Sequence, residues 1–82
     1  VQAEQLARWS LFIMELQGLI GSTAVNVHFY GCSSGDQPHQ NACWVIEFPA
    51  VNLLQLTEQL TALRKKFKQE SVALMVGNTE FI

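Results

Sequence analysis

His28, Cys32, His39 and Cys43 are the residues whose types most invite chemistry, and their spacing is H-x3-C-x6-H-x3-C. Imidazole nitrogen and thiolate sulfur are the donors that zinc prefers, taken four at a time in a tetrahedron. Structural zinc sites usually include a close cysteine pair that forms a tight knuckle, and this chain has none. Zinc is therefore the lesser expectation, and no metal or other cofactor is expected. Cys32 and Cys43 would form a disulfide only if their Cα atoms approach within about 7 Å. Cys43 with His28 has the makings of a nucleophile and its base. A lone cysteine beside a lone histidine on a strand is more often packing. Gly31-Cys32-Ser33-Ser34-Gly35 lacks the lysine and the following helix of a phosphate-binding loop. No enzymatic activity is expected, and a Cys/His-dependent enzyme is the least favoured reading.

Three further groups are candidate sites. His28, Tyr30, Cys43 and Glu47 fall on one predicted sheet face, neither wholly polar nor wholly apolar. Such a face could form the floor of a small-molecule site, pack against another copy, or stand in solvent. Leu11, Phe12 and Met14 spread the apolar surface of a predicted helix nearly all the way round. A helix apolar on most sides is buried on more than one, so these residues are the candidate interaction surface. Arg64, Lys65 and Lys68 belong to a cluster that holds, with Lys66, four of the five positive charges. They are a candidate anion contact, although cations at a helix C-terminus also complement its dipole.

The elements that would position these residues follow from hydrophobic period. Leu6, Trp9, Ile13, Leu16 and Ile20 recur at helical spacing, which predicts a helix from Gln2 to Leu19, closed by Gly18, Gly21 and Ser22. Thr23, Val25, Val27 and Phe29 alternate with Ala24, Asn26, His28 and Tyr30, the period of a strand. Gly31 to His39 is a loop rich in turn formers. Ala42 to Phe48 is a second strand, with Trp44, Ile46 and Phe48 on one face. The short loop favours an antiparallel pair. Symmetric pairing about it would set His28 near Cys43 and Asn26 near Val45. After Pro49, Asn52 with Gln55 reads as a capping box. A second helix then runs from Leu53 to Gln69, with Leu53, Leu56, Leu60, Leu63 and Phe67 as its stripe. Ser71 to Val76 is a short apolar strand, followed by Gly77-Asn78 as a turn or bulge signal. Trp9 and Trp44 are expected in the core.

The fold class is therefore α+β, in the order helix, strand, strand, helix, strand. Two helices pack on one face of a small, mainly antiparallel sheet. The order resembles the ferredoxin-like β-α-β-β-α-β unit lacking its first strand, which an upstream segment or a neighbouring chain would supply. That resemblance is one of element order and carries no function.

Composition bounds the rest. The 82 residues make a single domain over 1–82. Hydrophobic residues are 49% and charged ones 15%, which excludes a disordered tail. The net charge of −2 argues against nucleic acid as a partner. No apolar run is long enough to span a bilayer, and no secretory leader is visible, so a cytoplasmic place is expected. A chain this short buries only about 60–65% of its unfolded surface. With so little charge to coat a monomer, a homodimer is expected, with a protein partner also in view. The expected role is a non-catalytic protein-interaction or regulatory module; a small-molecule sensor is the alternative.

Overall fold

A computed structural model describes residues 3–34 and 36–82. Gln2, expected to begin the first helix, and Gly35, in the expected loop, lie outside the described residues. The order is helix, strand, strand, helix, an α+β arrangement around one antiparallel hairpin.

Helix α1 spans Ala3–Thr23. Phe12, Leu16 and Ile20 are buried along one face, with Trp9, Ile13 and Leu19 partly buried beside them. Gly18 and Gly21 do not close the helix, which continues to Thr23. A glycine ends a helix by taking the left-handed φ of a C-terminal cap, and no described glycine has positive φ. The Ala24 N–H still donates to the Ile20 carbonyl at 2.8 Å.

Strands β1 (Asn26–Cys32) and β2 (Ala42–Glu47) pair antiparallel. The register differs from symmetric pairing about the loop. Asn26 opposes Glu47 and Val27 opposes Ile46, whereas Phe29 opposes Val45 and Tyr30 opposes Trp44. His28 is thus the extra residue of a β-bulge, which breaks the alternation of faces along β1. Directly opposed residues share a face. Val27, Tyr30 and Cys32 therefore lie with Ile46, Trp44 and Ala42. Asn26, Phe29 and Gly31 lie with Glu47, Val45 and Cys43. Phe29 leans over Gly31, where a Cβ would come within 2.9 Å of its ring.

A 3-10 turn, Ala50–Asn52, leads into helix α2, Leu53–Lys66. The expected capping box does not form: Asn52 makes no side-chain capping bond. The turn itself satisfies early donors, with Asn52 N–H on the Pro49 carbonyl at 2.9 Å and Leu53 N–H on Ala50. The helix also stops short of Gln69. Gln69 N–H bonds the Arg64 carbonyl at 2.9 Å and Lys68 N–H bonds that of Lys65 at 3.2 Å. Those two bonds are a Schellman motif, and Lys68 takes its left-handed position at φ 54.

Leu56, Leu60 and Phe67 of the second helical segment meet Phe12 and Leu16 of α1 in the core. The Phe12 and Phe67 rings tilt at 5.9 Å between centroids. Leu63 and the hairpin's Trp44 and Phe48 pack against this cluster from its margin. Both tryptophans are partly buried at the core's edge, beside it rather than within it. Ser71 to Val76 does not form the expected strand. Residues 71–82 carry no regular secondary structure, and among the described residues no backbone hydrogen bond involves residues 70–82.

Candidate functional site

Register and bulge together decide what the mixed sheet face can be. His28 and Glu47 are joined across the hairpin by a short hydrogen bond from ring to carboxylate, Nε2 to Oε1. Phe81 from the C-terminal segment lies beside the imidazole, 6.4 Å between ring centroids. Cys43 shares that face but opposes Gly31, three positions along β1 from His28 and so about 10 Å away. Tyr30 lies on the other face, 4.8 Å from Trp44 between ring centroids. The structure thus brings His28 and Glu47 together and separates Tyr30 and Cys43 from them. Two changes explain the difference. Next to the loop the register is shifted by three positions from symmetric pairing, an odd shift that puts Tyr30 and Cys43 on opposite faces. The bulge then brings His28 to the side of Glu47.

The loop-end register also parts the cysteines. Cys32 and Cys43 point to opposite faces of the hairpin and both are free thiols. Among the described residues, no group of three His, Cys, Asp or Glu side chains is gathered closely enough to hold a metal ion. Tyr30 has its hydroxyl pKa raised above the ordinary value of 10.0. The cause is mainly its hydrogen-bonding interaction with the Cys32 side chain; slight burial and the Cys32 charge add to it. In the loop, the Ser34 hydroxyl donates to Asp36, and this bond chiefly lowers the Asp36 carboxyl below its ordinary range. Gln40 donates to the Ser34 and Gln37 carbonyls at 3.0 Å each, tying the loop to the start of β2.

Two shallow depressions mark the surface, and neither is lined by His28, Tyr30, Cys43 or Glu47. One, of about 190 Å³, lies among Ser22, Thr23, Asn52, Gln55 and Gln59 where α1 ends and α2 begins. The other, of about 70 Å³, is formed where Val72 and Leu74 lie against Thr57, Leu60, Thr61 and Arg64 of α2. Both fall below the ~300–1,000 Å³ of ordinary ligand pockets.

The expected helix surface is also divided. Phe12 is 3% exposed and belongs to the core, which corrects its place among interaction residues. The 100° advance per residue turns it toward Leu16. Leu11 and Met14 remain on the outside at 53% and 65%. Ala7, Gly18 and Gly21 continue that outer face, which carries no charge from Ala7 to Gly21.

The cations cluster around the end of α2. The Arg64 guanidinium donates to the Gln69 carbonyl at 3.4 Å, and Lys66 pairs with Glu15 of α1 at 3.2 Å. Lys65 and Lys68 are exposed. Arg64 and Lys66 thus serve the helix terminus and the α1–α2 contact, where the dipole favours positive charge.

The outer edge of β2 is open among the described residues. The Asn41 and Glu47 carbonyls both accept from the β1 side, from Ser33 and Val25 at 2.8 Å each. Main-chain groups alternate along a strand, so those of Ala42, Trp44 and Ile46 face away from β1. Among the described residues no main-chain group pairs with them; the Trp44 carbonyl has only the Cys43 Sγ, at 3.9 Å. Later in the same chain comes Ser71–Val76, a strand-like sequence with Val72, Leu74, Met75 and Val76 all exposed. Its alternation is visible in the sequence; its lack of a strand partner is not.

No protein-family model matches the chain, and no curated protein or solved structure does so.

Proposed function

We propose that this chain is a non-catalytic protein-interaction module that works as a homodimer. The observation that carries this reading is surface. The accessible area is 6291 Å², whereas a folded monomer of 9.2 kDa exposes about 4,900 Å². The excess of roughly 1,400 Å² exceeds the ~800 Å² that each partner buries in a standard interface. The radius of gyration points the same way, 13.6 Å against about 11.7 Å for a compact domain of this length. The extra surface is apolar where it matters: Leu11 and Met14 on α1, Phe29 and Val45 on the hairpin, and Val72 to Val76 in the C-terminal segment.

A non-catalytic role is supported by the separation of Cys43 from His28. A reducing compartment such as the cytoplasm fits two exposed free thiols. Among the described residues, no helix is long and apolar enough to cross a membrane. Native mass spectrometry of the purified chain tests the reading, and a species of twice the chain mass is expected. A monomer at every concentration overturns it. Additional mass lost on denaturation would replace it with the sensor reading.

A further inference from the structure

We propose that the two copies join by strand addition: Ser71–Val76 of each chain pairs with the open edge of β2 in the other. This inference rests on the homodimer reading and names its contact.

The chain holds both halves of such a ladder. The edge of β2 presents the N–H and C=O groups of Ala42, Trp44 and Ile46, none of them bonded to another main-chain group among the described residues. Only the weak Cys43 thiol bond to the Trp44 carbonyl would be displaced. β2 is six residues long. It has no bulge and no proline, and Glu47, at its end, is its only charge. Natural sheet edges are usually guarded by such features. β1 is guarded, by the bulge at His28, which makes its free edge a poorer template. Strand addition is thus directed to β2.

The other half is Ser71–Val76, which matches β2 in length. It contains no charge, proline or glycine. Its side chains alternate, with Val72, Leu74 and Val76 on one side and Ala73 and Met75 on the other. Met75 is 95% exposed. Among the described residues no main-chain group of this segment is bonded within its own chain, so an intermolecular ladder breaks no main-chain hydrogen bond. A two-stranded hairpin is marginal alone, and a third strand is what usually gives it independent stability. Because each chain donates one strand and accepts one, the contact is reciprocal and closes with twofold symmetry. The surface excess supplies enough area for such an interface.

The alternative occupant of the exposed surface is α1 against α1 through Leu11 and Met14. The two arrangements are separated by variants of the full chain in sedimentation equilibrium, with far-UV circular dichroism as the check on folding. Ala73→Pro and Leu74→Pro each remove one N–H, and one of the two must face β2. Ala73→Val keeps the N–H and is the control. At least one proline variant is expected to raise the dimer Kd roughly a hundredfold or more, with helical signal intact and Ala73→Val unaffected. Wild-type Kd in both proline variants overturns strand addition while leaving the homodimer in place. Loss of the dimer in Met14→Lys, with both proline variants normal, also overturns it and assigns the contact to α1. A wild-type chain that is monomeric throughout overturns both readings.

Discussion

Phe12 and Met14 sit two residues apart in one helix and have opposite surroundings. Phe12 touches the tilted rings of Trp9 and Phe67, each 5.9 Å away between centroids. Removing it leaves a void among residues too few to close over it. Phe12→Ala is expected to cost about 3–5 kcal/mol, most or all of the stability of a domain this small. Met14→Lys is expected to stay within about 0.5 kcal/mol for the folded monomer. Chemical denaturation of both variants is the check, and equal effects would mean that Phe12 is not core. Hydrophobicity marked both residues as apolar and left open which would be covered. Which one is buried depends on where α2 lies, and that is not a property of α1's own sequence.

Lys68 illustrates what holds an element in place. It occupies the left-handed position of the Schellman motif that ends α2, with φ 54. A residue with a Cβ is strained there and glycine is not. Lys68→Gly is expected to stabilise the chain by about 0.5–1 kcal/mol, seen as a rise in melting temperature. A fall would mean that the lysine side chain contributes more than its backbone strain costs. The sequence placed α2 and its stripe well, because Leu56, Leu60 and Phe67 follow helical spacing closely. It placed the start at Leu53 and ran the end past Lys66 to Gln69. Asn52 with Gln55 suggests a cap, yet the Asn52 side chain makes no capping bond, and the 3-10 turn instead bonds the N–H groups of Asn52 and Leu53. Glycines at positions 18 and 21 signalled a stop, yet α1 runs through them because its packed face outweighs a cost of ~1 kcal/mol per glycine.

Taken whole, the molecule extends 42 × 28 × 18 Å, long for its mass. Its helices meet in a small core, and the hairpin reaches that core through Trp44 and Phe48. Such a chain gains stability from whatever covers the remaining surface. If a second copy does so, unfolding is coupled to dissociation and the melting temperature depends on concentration. A rise of roughly 5 °C or more is expected over a hundredfold range of protein concentration. A melting temperature constant across that range would mean that the fold stands without a partner.

Local pattern determined the elements: the helical stripes, the alternation of the two strands, the turn-rich loop and the α+β class. These depend on side-chain period and on neighbours within a few residues, which a single sequence displays directly. Tertiary structure decided the rest. The pairing register set which residues face which side and parted Tyr30 from Cys43 and Glu47, while the bulge at His28 kept the pair His28 and Glu47. The same holds for Ser71–Val76, whose alternation states that it suits a strand but not where its partner lies. Strand pairing joins groups far apart in sequence or in different chains, so only the arrangement of the whole molecule, and of its copies, fixes it.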